Sequence, residues 1–345
     1  MDHFNLHPTS RAYHQEVIIL KKVQSLIALL AIVLLFVGCT SPSASNGQQE
    51  TNNTSGNEAA PKVRTIKHEL GTAEIKETPQ RVVVLEFSFV DALASLGVKP
   101  VGIADDGKID RIIKPLADQV TGYTSVGTRK QPSLETISSL QPDLIIADWK
   151  RHKAIYKDLQ EIAPTLVLKS LEASYEENVA SFQTIADAMN KQEEGKQRLA
   201  KHEQIIADLK TKIPASDAKQ SVMSAAVRKE GFNAHTSSSY GGALLEKVGL
   251  TNAIQDPNEA YAELTLEQLL NINPDVLFIM KTDGEQTIID EWSTNPLWQQ
   301  LNAVQKKQVI EVDRNLWTRW RGLVAGEIMV EEAIHHLYSS KPAAQ

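Results

Sequence analysis

One stretch of this chain is written twice. Pro132-Ser-Leu-Glu-Thr-Ile-Ser-Ser-Leu-Gln-Pro-Asp-Leu-Ile-Ile lies over Leu264-Thr-Leu-Glu-Gln-Leu-Leu-Asn-Ile-Asn-Pro-Asp-Val-Leu-Phe, offset by 132 residues. Leu134/Leu266, Glu135/Glu267, Pro142/Pro274 and Asp143/Asp275 are identical, and the apolar spacing between them is kept. Each copy reads as an amphipathic helix running into a buried strand. A helix–strand unit repeated in both halves constrains the chain to two lobes of similar construction. The gap between two such lobes is where small ligands sit.

The surrounding residues agree. From Val63 onward short apolar runs alternate with amphipathic stretches, the pattern of an α/β fold. Residues 81–85, 100–104, 143–147 and 165–168 read as strands of the first half, and 221–227, 275–279 and 309–312 as strands of the second. Residues 91–97 and 243–249 read as helices, each closed by a glycine. A length of 345 residues suits two domains of ordinary size. Between the halves, 191–213 is charged, with Leu199, His202, Ile206, Leu209 and Ile213 on one stripe and Pro214 ending it. A helix of that length spans about 34 Å, enough to reach across both lobes. The expected parts are an N-terminal lobe over 63–190, an inter-lobe helix over 191–213 and a C-terminal lobe over 214–340. The other reading of 191–213 is an ordinary surface helix inside one lobe.

Residues 1–38 read as an export signal. Lys21 and Lys22 precede an apolar run over 26–37. As a helix that run rises only about 18 Å, short of the roughly 30 Å hydrocarbon core of a bilayer. It ends in Phe36-Val37-Gly38-Cys39, which holds the only cysteine of the chain. A small residue before a cysteine, directly behind such a run, resembles a bacterial lipobox, with Phe36 where leucine is usual. That resemblance implies cleavage before Cys39 and lipid on its thiol and new N-terminus; several acyl chains together anchor durably. Residues 39–62, rich in Ser, Asn, Gly and Glu, read as a flexible tether. The expected location is the extracytoplasmic face of a cell membrane, on a lipid anchor, as on the surface of a Gram-positive bacterium.

Composition removes several classes of function. A net charge of −7 leaves no footprint for nucleic-acid binding. One cysteine excludes a disulfide framework and a Cys-rich zinc site. P-loop, Gly-x-Ser-x-Gly, His-Glu-x-x-His and Cys–His patterns are missing, so no enzyme is expected. His68, His152, His202, His235, His335 and His336 are scattered, so no direct metal ligands and no resident cofactor are expected.

Longer phrases carry a family likeness. They are Arg81-Val-Val-Val-Leu-Glu-Phe-Ser-Phe-Val-Asp-Ala-Leu-Ala, Gly102-Ile-Ala-Asp-Asp, Ser125-Val-Gly-Thr-Arg-Lys-Gln-Pro-Ser-Leu-Glu135, Pro142-Asp-Leu-Ile-Ile-Ala-Asp, Arg151-His152 and Asn315-Leu-Trp-Thr-Arg-Trp-Arg-Gly322. Over roughly residues 64–335 the chain resembles the periplasmic-binding-protein family whose lobes are joined by one rigid helix, serving importers of siderophores and vitamin B12. Within that family it is most similar to the ferric citrate receptors. The resemblance implies an α/β fold of two Rossmann-like lobes joined by a single long helix. It implies a monomer that captures ferric citrate and delivers it to an ABC permease dimer without chemistry on the ligand. A hydroxamate or catecholate siderophore, or haem held by Tyr240 or His235, stays open as an alternative cargo.

Citrate-chelated iron shows its surroundings carboxylate and hydroxyl oxygens, so a receptor need not touch the metal. It needs guanidinium forks aimed at carboxylates, with aromatic faces for the remaining wall. These should stand at loop tips beyond the carboxyl ends of strands. Arg129, Arg151, Arg228, Trp317, Arg319 and Arg321 stand at such tips and are the candidate ligand-binding residues; Lys150, Lys281 and Tyr240 also sit at strand ends. Any one arginine reads equally well as a solvated surface charge. The cluster Trp317-Thr-Arg-Trp-Arg321 reads less well that way, since exposed tryptophans beside like charges are unusual without a partner. Glu86, after the first strand, would repel an anion and has no role in this reading. By the resemblance, Glu135 and Glu267, one on each lobe, dock on arginines of the two permease subunits. A glutamate in the first turn of a helix is also favoured by the helix dipole alone.

Overall fold

The computed structural model describes residues 63–217, 220–282 and 284–339. The export signal, Cys39 and the tether lie outside the described residues. The body opens with an antiparallel hairpin that the sequence reading did not mark, β1 (Arg64–His68) and β2 (Gly71–Ile75).

The first lobe is a parallel sheet of β3 (Val82–Val84), β4 (Gly102–Ile103), β5 (Thr124–Ser125), β6 (Leu144–Asp148) and β7 (Thr165–Leu168), in the order β5-β4-β3-β6-β7. β3 and β6 are buried at every position, which is why each reads as a continuous apolar run rather than an alternating one. The strand order reverses at β3. In open α/β sheets the crevice outside the carboxyl ends of the strands at such a reversal is where ligands bind. Helix α1 (Phe87–Ser95) follows β3 and α2 (Leu134–Ser139) follows β5.

Two helices then carry the chain across, α3 (Tyr175–Ala188) and α4 (Gln192–Lys210). A capping box between Ser174 and Glu177 starts α3. α4 is the long helix expected at the join; its 19 residues rise about 28 Å.

The second lobe holds β8 (Ser221–Arg228), β9 (Gly231–His235), β10 (Thr251–Asn252), β11 (Tyr261–Leu264), β12 (Val276–Lys281) and β13 (Val309–Asp313). The order is β11-β9-β8-β12-β13, with β10 beside β8. β8, β10, β12 and β13 run parallel, whereas β9 and β11 are antiparallel. The second lobe therefore repeats the parallel core of the first and adds its own hairpin edge. Its principal helices are α5 (Tyr240–Lys247), α6 (Leu266–Ile272) and α7 (Leu323–Tyr338).

The doubled segment performs one structural task twice. Ser133 caps α2 by accepting from the Thr136 N–H (3.2 Å), and Thr265 caps α6 by accepting from the Gln268 N–H (3.2 Å). Asp143 accepts from the backbone N–H groups of Gln80 (2.7 Å) and Arg81 (2.9 Å), just before β3. Asp275 accepts from the Ser221 N–H (3.1 Å) at the start of β8. The Pro-Asp pair pins the neighbouring strand in each lobe, and it lies at the end of the sheet away from the cleft.

Both sheets belong to one compact unit. One apolar cluster runs from Val82, Phe87 and Leu93 through Phe182, Ile206 and Leu209 to Val222, Phe278 and Leu337. α4 packs on α3 and α7, and α7 also packs on α1. The segment 320–325 threads into the first lobe. Trp320 stacks on Phe87 with ring centroids 4.9 Å apart, and its Nε1–H donates to the Arg111 carbonyl (2.9 Å). Asp91, buried on α1, accepts from the N–H groups of Val324 (3.2 Å) and Ala325 (2.9 Å), so a carboxylate of one lobe caps α7 of the other. Burial raises that carboxyl group to about 6, against the lowering effect of the two backbone donors. On α4, His202 meets Glu327 (2.8 Å) and the Tyr175 hydroxyl (2.9 Å), and Arg198 pairs with the same Glu327 (2.8 Å). The long helix is thus bonded on both sides, which gives physical content to a stiff joint.

Candidate ligand-binding cleft

A cavity of about 760 Å³ lies between the lobes, beyond the carboxyl ends of β4, β5, β6, β8 and β13. Its wall carries seven arginines and Lys130, with Asp106 as the one carboxylate among the lining residues. Arg111, Arg129 and Arg151 come from the first lobe, and Arg228, Arg314, Arg319 and Arg321 from the second. Of the six candidates read from the sequence, the fold brings five arginines onto one cavity.

The first-lobe wall has counterions built in. Asp106, in the loop after β4, accepts from the Arg129 backbone N–H (2.9 Å), its Nε (3.0 Å) and its Nη2 (2.9 Å), and also from Arg111. Burial alone would raise the Asp106 carboxyl group, but the Arg129 hydrogen bonds and the charges of Arg129 and Arg111 outweigh it and hold it below the usual range. Glu86 lies directly after β3 at the start of α1, with 0% of its side chain exposed. It accepts from Arg151 Nε, from Arg321 Nη2 (3.3 Å) and from Arg129 Nη1 (3.4 Å). The glutamate without a role in the sequence is therefore a hub, joining arginines of both lobes. The Arg129 guanidinium also sits over the Phe87 ring at 4.5 Å.

A second layer holds these arginines in place. Asp148 caps the turn that carries Arg151 by accepting from the Arg151 N–H (2.9 Å), and it also accepts from the N–H groups of Ser170 and Leu171 (3.0 Å each). His152 accepts at Nδ1 from the Asp148 N–H (2.9 Å) and donates from Nε2 to the Arg129 carbonyl (2.7 Å). Burial lowers the His152 pKa, in keeping with this neutral tautomer.

On the second-lobe wall Arg321 shares Glu86, while Arg314 and Arg319 have polar partners in place of counterions. Arg319 donates to Asn315 Oδ1 (2.6 Å) and Arg314 to Thr282 Oγ1 (3.0 Å). Burial, then the nearby charges of Arg111, Arg314 and Arg129, lower Arg319 to about 10, so it remains a cation at neutral pH. Arg228 is exposed at the end of β8. Tyr261 and His235 supply the aromatic side of the cavity, edge to face with centroids 4.9 Å apart. Burial first, and Arg321 second, lower His235 to about 4, so it is neutral here.

The tryptophan cluster is a correction. Trp317 is 4% exposed and packs on Phe278 at 4.9 Å, with its Nε1–H donating to Glu332 (2.6 Å). The five residues Asn315–Arg319 form a single π-type turn that points Arg319 at the cleft and Trp317 at the core. Trp320 is likewise turned inward between two cleft arginines. Lys150 pairs with Glu172 and Lys281 with Glu311, while Tyr240 donates to the Gly322 carbonyl (2.7 Å); none of the three lines this cavity. The sequence reading missed Arg111 and Arg314. Arg314 directly follows β13, so the strand-end rule that found Arg228 would have found it. Arg111 sits in a short turn several residues beyond β4, and no local signal marks it.

Glu135 and Glu267 occupy matching positions in the first turns of α2 and α6, both exposed and without an ion pair among the described residues. Among the described residues no three His, Cys, Asp or Glu side chains come together as a metal site. The cleft offers fixed cationic donors, suited to an anion with several carboxylates.

Fold and cleft together define a two-lobed solute-binding protein rather than an enzyme. The chain belongs to the periplasmic binding protein family, whose model matches residues 82–316. It is 49% identical over 314 residues to the Fe(3+)-citrate-binding protein YfmC of Bacillus subtilis (strain 168), covering 91% of this chain and 98% of that one. It is 41% identical over 275 residues to the Fe(3+) dicitrate-binding periplasmic protein FecB of Escherichia coli (strain K12), covering 79% of this chain and 90% of that one. Among solved structures, Staphylococcus aureus SirA complexed with staphyloferrin B superposes with a TM-score of 0.70 at 26% identity, covering 79% of this chain and 98% of that one.

Proposed function

We propose that this protein is the lipid-anchored solute-binding component of an ABC iron importer, capturing ferric citrate outside the membrane and delivering it to the permease. The observation that carries this reading is the convergence of seven arginines from both lobes on one cavity. Bidentate guanidinium–carboxylate pairing is strong and directional, and arginine stays charged when partly buried. The two relatives named for ferric citrate support the same cargo. One copy supplies both walls, so a monomer suffices. Cys39 is the lipid attachment point.

Titration of the purified body with ferric citrate, ferric hydroxamates and haem, followed by tryptophan quenching, tests the cargo. Saturable quenching by ferric citrate is expected. Tight binding of a hydroxamate together with silence toward ferric citrate rejects this cargo.

Glu135 and Glu267 are the permease contacts in this reading, exposed on equivalent helix turns of the two lobes. Replacing both by alanine should leave ferric citrate affinity within about twofold, since surface changes away from a site seldom move it by more. Iron uptake by cells carrying the double variant should fall at least about tenfold, given the cost of removing charged partners at an interface. Unchanged uptake of radiolabelled iron would remove them from the docking surface.

A further inference from the structure

The two walls of the cleft differ in how their charge is balanced. On the first lobe each arginine already meets a carboxylate: Arg111 and Arg129 meet Asp106, and Arg129 and Arg151 meet Glu86. On the second lobe Arg321 alone meets a carboxylate, Glu86 of the first lobe; Arg314 and Arg319 bond to a hydroxyl and an amide, and Arg228 stands exposed, and none of these three forms an ion pair among the described residues. The Arg314 Nε is buried with no hydrogen-bond partner. Buried donors of this kind are costly unless something completes them. A ligand carboxylate arriving at the first wall competes with an internal one. Arriving at the second wall, it meets unopposed charge and relieves the repulsion between neighbouring guanidiniums.

Resting on the ferric citrate reading above, we propose that the walls have separate tasks. Arg228, Arg314 and Arg319 form the docking wall that takes up the negative charge of the chelate. The first-lobe arginines, neutralised in advance, position it. Arg314 is then a specificity-determining residue. It favours ferric complexes that keep free carboxylates on one face and gives nothing to neutral ones.

The test uses ferric citrate as probe on the purified body at low and high salt. Arg314→Gln is expected to weaken binding about thirtyfold and to flatten its salt dependence, as for a desolvated charge contact without an internal substitute. The charge-neutral double change Asp106→Asn with Arg111→Gln, on the positioning wall, is expected to weaken binding by only about fivefold, a smaller loss than Arg314→Gln, with its salt slope kept. If Arg314→Gln does not fold, Arg228→Gln, on an exposed side chain, takes its place with an expected loss of about tenfold. Equal losses for the two kinds of variant, or the reverse order, overturn the assignment of walls. Failure of the wild-type protein to bind ferric citrate is a different result and rejects the cargo itself.

Discussion

Replacing Glu86 by alanine is expected to cost roughly 3–5 kcal/mol of folding stability, the range for removing one partner of a buried ion pair. Its carboxylate is fully buried and receives guanidinium groups of Arg129, Arg151 and Arg321. Two of these belong to the first lobe and one to the second. Without Glu86 the three cations face one another in a site that water reaches poorly, and the lobes lose a direct bond. The α1 N-terminus behind Glu86 adds positive dipole, and although Asp106 still neutralises Arg129, Arg151 and Arg321 have no other carboxylate partner among the described residues. Urea unfolding of the variant measures the cost. Ferric citrate should stabilise the variant more, relative to its ligand-free state, than it stabilises the wild type, because ligand carboxylates can stand in for the missing one. A loss below about 1 kcal/mol would mean that the arginines are solvated and Glu86 is no hub.

Gly322→Ala carries the second large effect. A Cβ at this position would lie 2.2 Å from Asp91 Cγ and 2.5 Å from its Oδ2. The backbone there is extended, so the obstacle is space rather than conformation. Asp91 cannot step aside cheaply, since it holds the Val324 and Ala325 N–H groups at the start of α7. The cost should be about 3 kcal/mol, at the upper end of the range for overpacking. The displacement reaches the cleft, because Arg319 and Arg321 immediately precede Gly322. A ferric citrate affinity lowered about tenfold is therefore expected beside the lost stability, in line with a charged contact moved out of place. Calorimetric unfolding and the quenching titration read the two separately. Wild-type values in both would show that the lobes are not fastened at this contact.

Much of the architecture was legible before any coordinates. The helix–strand repeat, the apolar runs and the glycine closures depend on residues a few positions apart, and so does the capping by Ser133 and Thr265. The strand-end rule placed five arginines at the cleft because the end of a strand is itself a local property. The same rule applied to Asp313-Arg314 would have added a sixth. It failed for Trp317, where sequence adjacency to arginines suggested exposure. The π-type turn separates the two faces of that short segment, and Phe278 and Glu332 hold the indole inside.

The order of residues alone determined an α/β chain with two lobes, a long helix between them and cationic loop tips facing a gap, since each of these follows from patterns within a turn or a strand. Only the tertiary structure decided which charges oppose one another. Glu86 finds Arg321 across 235 residues of chain, and Asp91 finds Ala325 across 234. Such pairings arise when buried polar groups are forced to satisfy one another as the lobes close around a common core, a condition that no local stretch of sequence carries.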